Sequence, residues 1–515
     1  MADFDAGAMV NDPVKNFVFD LHDSCRRSRI QADIDKLYGE TWAELTKKYY
    51  SEKGDQWPSA EAISSECGGD AYFLCFYKEM AFRHLFLTGK PRCEDRLAAW
   101  ENYVMLFDFV IDAKDLDMFM NEQWASDIIT EFVYQFQDNC QYRTDLSARD
   151  ADEVEMLQAN QGAWATNKVA YYLTQLIRVS NVGPVVEQMK ANGISTQRMN
   201  ASEMGLDTPS QTTFDLGYFA LFGMARLECL LGDYQASLAV LAPIDVTSEH
   251  ERYHKVFSCH TNLYYHMGFA YLMVRRYKDA IRSFSNVIAF IYRMQKSGAL
   301  QHVPGGDQGQ KSNDRMCALM AILIAMTPGV KVDDMVLNIV KEKYGERISQ
   351  LESGNFNSTR ELYENLFQKA CPKFIVPSIP NYDGPQINYS HDSVRQQVGA
   401  FLKQAEHMNK LGQIRSYLKL YTAISVAKLA RFNAISDDDF RSELLAIKHI
   451  MSQTESEPGM AALDGKTASA LDIHFFVKDE MIHVDEADRV QRHEAFFMGQ
   501  VNKCEEITER LRNRA

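Results

Sequence analysis

The stretch VAKLARFNAISDDDFRSELLAIK, residues 426–448, reads as a helix, a short turn and a second helix. Val426, Leu429 and Ala430 share one apolar face before the turn. Ser436 then stands where a helix N-cap belongs, with Asp439 three residues on as its capping-box partner. Phe440, Leu444, Ile447 and Met451 recur at helical spacing as the buried side of this second helix. Upstream, Ile414, Tyr417, Leu418 and Tyr421 form the face of a preceding helix. Downstream, LDIHFFVKDEMIHV (471–484) alternates Leu471, Ile473, Phe475 and Val477 inward, turns at Lys478 to Glu480, and returns through Ile482 and Val484. That alternation predicts a β-hairpin. Three helices and a hairpin predict a winged helix.

Charge decides what this unit can touch. In helix-turn-helix readers the first residues of the second motif helix enter the major groove. Here those positions are Asp437, Asp438 and Asp439, which suit a helix N-terminus but repel phosphates. Residues 414–485 hold eight Lys/Arg against eleven Asp/Glu, and the whole chain 55 against 70, a net charge of −15. A packing or partner-docking module is the better account than a nucleic-acid reader.

Helical periodicity runs from about residue 13 to 370. Phe73, Phe76, Tyr77, Met80 and His84 form one face, and Trp124, Ile128, Phe132 and Phe136 another; both are expected in the core. Two segments then resemble each other, GMARLECLLGDYQASLAVL from Gly223 and GFAYLMVRRYKDAIRSF from Gly268. Small residues at the helix contact and a tyrosine at the interhelical turn suit tetratricopeptide-like pairs. GGDQGQKSND (305–314) reads as a flexible connection. MCALMAILIAM (316–326) is too short to span a bilayer, which takes about 20 residues, and reads as a core helix. In CPKFIVPSIPNYDGP, Pro372, Pro377, Pro380 and Pro385 predict an extended linker, and Phe374, Ile375, Val376 and Ile379 imply that it lies against a surface.

The expected architecture is therefore mainly α, a TPR-like helical-repeat solenoid followed by a winged-helix module with a small hairpin wing and a C-terminal helix. Its expected parts are a tail (1–12), an N-terminal helical domain (13–205), helical repeats (206–370), the proline-rich linker (371–390), the winged helix (391–487) and the last helix (488–515). Ten scattered cysteines without a CxxC pair, and an acidic start without a signal-like apolar run, predict reduced thiols in the cytosol or nucleus.

HERYHKVFSCH (250–260) contains H-E-x-x-H, which on a helix would offer His250 and His254 to zinc with Glu251 as general base. Phe257 stands where glycine would turn the chain toward a third ligand at His260, and Arg252 is charged at an inner position. Ser248 with Glu251 suggests instead a capping box in an exposed first turn. No G-x-S-x-G, phosphate loop or dinucleotide motif occurs. The expectation is no catalytic residue, no cofactor and no metal.

The last helix carries Val490, Phe497, Cys504 and Leu511 at heptad spacing, with Phe496, Val501 and Ile507 beside them. Such a stripe either folds back on its own domain or pairs with helices of other chains.

The order of parts is that of PCI domains, the scaffold modules of the proteasome lid, the COP9 signalosome and the translation initiation factor three complex. FYKEMAFRHL (76–85), EFVYQFQDNCQYR (131–143), LLGDY (230–234), GFAYLMVRRYKDAIR (268–282), CPKFIVPSIPNYD (371–383), IRSYLKLYTAISVAKLARF (414–432), ALDG (462–465) and DEMIHV (479–484) resemble the subunit L family of the eukaryotic initiation factor three complex, in order over nearly the whole chain. The resemblance implies a PCI module over about 290–487 and a non-catalytic, cytoplasmic scaffold subunit. It would help assemble the small-subunit pre-initiation complex and recruit mRNA. Its implied partners are subunit K, the PCI core and, through the complex, the small ribosomal subunit, with no membrane and with direct RNA contact left open. It tips the last helix toward partner binding. The implied interface is Ile473, Phe475, Val477, Ile482, Val484, Val490, Phe496, Phe497, Val501, Ile507 and Leu511. The segment near 305 and DEADRVQRHE (485–494) depart from the family's usual residues, and its longer acidic N-terminal extension is largely missing here. The rival readings are a PCI subunit of a proteasome-lid or signalosome type of assembly, and a zinc hydrolase at His250, Glu251 and His254.

Overall fold

The structure, a computed structural model, describes residues 10–51, 56–113, 117–192, 195–196, 210–248, 251–327, 330–353, 356–384, 388–457, 459–469, 473–486 and 500–501. It divides into two compact units. The first takes residues 1–325, 331–404 and 454–466, and the second takes 326–330, 405–453 and 467–515. The fold is mainly α, a helical array with a winged-helix end.

In the first unit, helix Ala71–Thr88 starts where Asp70 Oδ1 accepts the Tyr72 and Phe73 amides at 3.1 and 3.3 Å. Phe73, Phe76, Tyr77, Met80 and His84 are all buried along it, as are Trp124, Ile128, Phe132 and Phe136 along helix Glu122–Thr144. The Phe132 ring packs among Phe107, Tyr103 and Trp164 with centroids 4.8–5.6 Å apart.

The two repeat segments form helix pairs, Gln211–Leu231 with Tyr234–Ala239 and Phe257–Met273 with Tyr277–Lys296. Gly232, at φ +89°, ends the first helix in the left-handed region, and Asp233 caps the next by accepting the Ala236 amide. The small residues sit at helix contacts but serve different neighbours. A Cβ on Gly223 would lie 2.6 Å from Ile129 of an earlier helix, whereas one on Gly268 would lie 2.6 Å from the Phe284 ring of its own pair.

Residues 305–314 are not the flexible connection expected of them. They enter helix Gly306–Met326, whose Met316–Leu323 segment is fully buried. The glycines there permit close approach: a Cβ on Gly309 would lie 2.4 Å from Phe257 and one on Gly306 2.2 Å from the Leu300 carbonyl. The proline-rich segment lies along the first unit. Ile375 N donates to Leu230 O at 3.2 Å, Gln137 Nε2 to Lys373 O at 2.6 Å and Thr166 Oγ1 to Pro377 O at 3.3 Å. Phe374 and Ile375 are buried, Val376 is half-buried and Ile379 is exposed.

The unit also encloses charge. Glu79, fully buried, pairs with Arg83 at 2.5 Å and accepts from Tyr103 OH at 3.2 Å. Close by, burial pushes the Glu131 carboxyl up to about 7, with Arg83 opposing and Glu79 adding to the rise. Every described cysteine is an unpaired, buried thiol, and among the described residues no helix is long and apolar enough to cross a membrane.

The second unit contains β1 (Ala423–Ser425), β4 (Ile473–Lys478) and β5 (Met481–Glu486), while β2 (Ser452–Glu455) and β3 (Lys466–Ser469) are each divided between the two units. β1, β5 and β4 form an antiparallel sheet in that order, and β2 pairs with β3.

Two measurements test this packing. Gly268→Ala forces its methyl into the Phe284 ring and lowers stability by about 1–3 kcal/mol in urea denaturation. The Glu131 carboxyl, with its raised pKa, stays protonated in the fold where an unfolded one has ionised at about 4.3. Its contribution is therefore present below that pH and lost as pH rises through about 7. Glu131→Gln gains stability relative to the wild type between about pH 4.5 and 7.5, by up to ~3 kcal/mol.

Candidate docking surface of the winged-helix unit

Helix Val426–Phe432 begins at Ser425, whose hydroxyl accepts the Lys428 amide at 3.3 Å, and helix Asp437–Met451 begins at Ser436, which accepts the Asp439 amide at 3.2 Å. The Ser436 hydroxyl also donates to Asp439 Oδ2 at 2.6 Å, so the two side chains bond each other. Phe440, Leu444, Ile447, Ile450 and Met451 are buried on the second helix, as are Ile414 and Leu418 on helix Asp392–Leu418. Arg441 holds Asp438 at 2.6 Å and also pairs with Glu480 at the wing turn. That turn needs support because Asp479 and Glu480 both have positive φ, +47° and +62°, the conformation of a tight type I′ hairpin without its usual glycine.

The expected interface residues separate into distinct environments. Phe475 and Ile482 are buried, and Val484, paired with Phe475, is half-buried. Ile473 opens β4 opposite Glu486. Val477, expected to point inward, is 49% exposed although it pairs with fully buried Ile482. The reason is position: β4 is the outer strand, and Val477 sits at its end beside the turn. On the opposite face Phe476 is 48% exposed and stacks on His483 at 5.1 Å. Val501 is described and exposed. Val490, Phe496, Phe497, Ile507 and Leu511, and with them most of the expected last helix, lie outside the described residues, as do Leu471 and Asp472. Leu420, Phe432 and Leu445, all in the same unit, are exposed as well, which apolar periodicity alone does not reveal.

The electrostatics run against phosphate. Asp437, Asp438 and Asp439 are exposed at the helix start, and the arginine nearest them is shared between Asp438 and Glu480.

The H-E-x-x-H segment does not form the helix such a zinc site needs. Arg252–Lys255 is a 3-10 turn and the α-helix starts only at Phe257; His250 lies outside the described residues. Glu251, expected with Ser248 to cap an exposed first turn, is not exposed. Glu251 is buried, accepting from Thr196 Oγ1 at 2.5 Å and Tyr218 OH at 3.3 Å, while His254 Nε2 donates to the Ser248 carbonyl. Arg252 is buried with Asp215 at 2.8 Å and Glu122 at 3.2 Å. Burial, aided by His254, lowers the His260 pKa to about 3. Among the described residues no group of three or more His, Cys, Asp or Glu side chains is arranged to hold a metal.

Comparison with known proteins identifies the family. A family model described as RNA polymerase I-associated factor PAF67 matches residues 95–504. Proteins named eukaryotic translation initiation factor 3 subunit L from Xenopus laevis, Homo sapiens and Danio rerio are each 36% identical over 479 residues. The aligned region is 92% of this chain and 83%, 82% and 81% of theirs. The chain belongs to the eukaryotic translation initiation factor 3 subunit L family.

In this subunit L family member, the ALDG segment has a definite mechanical role. Residues 454–466 interrupt the winged helix in sequence and are part of the helical unit. Arg276, 5% exposed just before helix Tyr277–Lys296, donates from Nη1 to Ala462 O at 3.2 Å and Leu463 O at 2.6 Å, and from Nη2 to Asp464 O at 2.9 Å. Its Nε and Nη2 also grip Asp279 at 2.8 and 2.7 Å. Asp279 accepts the Ser456 amide at 3.1 Å on each oxygen, and Arg282 bridges Asp279 to Ser456 O. Tyr271 OH completes the clasp on Ala462 O at 2.7 Å. Gly465 lets the loop return, since a Cβ there would lie 2.7 Å from Glu455 O. Arg276→Gln strips the carbonyls of their charged donor and leaves Asp279 buried with less compensation. Limited proteolysis should then cut within 454–466 at least about tenfold faster, the change expected from ~1.4 kcal/mol of local stability. The cleavage rate of the wild-type loop, measured in parallel, is the reference.

Proposed function

We propose that this chain is a non-catalytic scaffold subunit of the translation initiation factor three complex, acting through protein–protein contacts. In this reading it pairs with subunit K and the PCI core of the complex, its PCI module spanning about residues 290–487. It helps assemble the small-subunit pre-initiation complex and recruit mRNA in the cytoplasm, reaching the small ribosomal subunit through its partners. Membership of the subunit L family supports the assembly. The observation that carries the docking role is the outer strand β4, which among the described residues pairs on one side only, with β5, and presents half-exposed Phe476 and Val477. Apolar side chains on an unpaired strand edge are covered by a partner in a working assembly. The last helix, with Val490, Phe496, Phe497, Val501, Ile507 and Leu511, supplies a second contact in the same reading.

A second reading follows from the family model's description, association with RNA polymerase I. Mass spectrometry of proteins purified with the tagged chain separates the two: initiation factor subunits support the first reading, and polymerase subunits in their place support the second.

The docking surface itself is tested by Phe476→Asp combined with Val477→Asp. Both side chains are half in solvent, so the variant keeps its thermal midpoint. It is expected to lose most co-sedimentation with small ribosomal subunits, and normal co-sedimentation of a folded variant rules out the wing as the docking surface.

A further inference from the structure

The helix Cys93–Asp112 carries one exposed stripe at i, i+4 and i+7 spacing, Glu94, Ala98, Glu101, Met105, Asp108 and Asp112. The stripe has no lysine or arginine. The only basic residue of this helix, Arg96, is buried and paired with Asp138 at 2.7 Å. A surface helix ordinarily alternates its signs for i, i+4 support, so this one is left with repelling carboxylates.

Aromatic rings flank the stripe on both sides. Tyr72, 37% exposed at the start of helix Ala71–Thr88, packs on Phe109 with centroids 4.6 Å apart. On the other side the Tyr172 hydroxyl bonds Asp108, and Tyr171, 54% exposed, packs edge-on against Tyr172 at 5.4 Å. Met105, 51% exposed, stands between them, one turn before Phe109. The surface thus interleaves carboxylates with tyrosine and phenylalanine rings. A guanidinium already occupies such a position within the chain: Arg26 lies 5.6 Å from the Tyr72 ring centroid.

We propose that this face, centred on Glu101, Met105, Asp108 and Asp112 and rimmed by Tyr72 and Tyr171, docks an arginine-rich segment of a partner protein. Guanidinium groups fit both halves of the surface, pairing with carboxylates and stacking on ring faces, and the aliphatic stems of arginine cover Met105. The face belongs to the helical unit and is independent of the wing, so failure at one does not entail failure at the other.

The test is fluorescence anisotropy of a short labelled peptide alternating arginine and leucine, titrated with the full chain. Saturable binding is expected, with none for the same peptide carrying glutamate in place of arginine. Glu101→Lys with Asp112→Lys should weaken binding at least about tenfold, whereas Asp437→Lys with Asp438→Lys, the same change of net charge elsewhere, should leave it within about twofold. Met105→Ala with Tyr171→Ala should also weaken it while the thermal midpoint is kept. Equal weakening by the two charge-reversal pairs would reduce the effect to net charge and overturn the proposal. So would binding of the glutamate peptide, or a dimer in sedimentation velocity that Glu101→Lys with Asp112→Lys converts to monomer, which would make a second copy the occupant.

Discussion

A single buried guanidinium holds together parts of the chain that lie nearly two hundred residues apart. Arg276 is almost wholly out of water, where an unpaired cation is costly, and it is satisfied by the Asp279 carboxylate and three successive backbone carbonyls, those of Ala462, Leu463 and Asp464. Asp279 sits in the first turn of its helix, where the helix dipole favours a negative charge, and spends its remaining acceptor capacity on the Ser456 amide and Arg282. Each group is satisfied only while the others are in place. The segment 454–466 is therefore a fixed part of the helical unit, and the ALDG run is explained by what its backbone does: three consecutive carbonyls face one arginine.

The same economy of backbone contact recurs elsewhere in the helical unit. The proline-rich segment has few amide donors of its own, so its carbonyls are met by side chains from helices below it, Gln137 on Lys373 and Thr166 on Pro377. Where helices must approach closely, glycine supplies the space: Gly223 against Ile129, Gly268 against Phe284, Gly309 against Phe257. Burial is the first cause of the displaced titrations of Glu131, Asp215 and His260.

Much of this was readable in the sequence where a local rule suffices. Ser436 before an apolar 3.6-residue period predicts the helix that starts there, and the alternation of Phe475 with Val477 predicts a strand. The readings failed where a distant contact decides. Residues 305–314 looked like a loop because glycines usually interrupt helices, yet here they make room for Phe257 and Leu300, contacts invisible to local pattern. β1 is only three residues long, too short to alternate, and exists because β5 pairs with it. Val477 alternates correctly but stands on the outer strand, so its exposure follows from sheet order and not from periodicity. The H-E-x-x-H spacing suggested a shared helical face, whereas Glu251 is drawn inward by Thr196 and Tyr218 and the helix begins later. The arginine clasp is not legible in the sequence, because three of its acceptors are backbone carbonyls nearly two hundred residues away.

The central claim is that the chain works by docking, with the outer edge of the wing covered in the assembled complex. Hydrogen–deuterium exchange of the isolated chain against the chain in its purified complex measures this directly at residues 473–478. The account predicts that β4 amides facing away from β5 exchange markedly more slowly in the complex. Equal exchange of β4 in the free and assembled chain would contradict it.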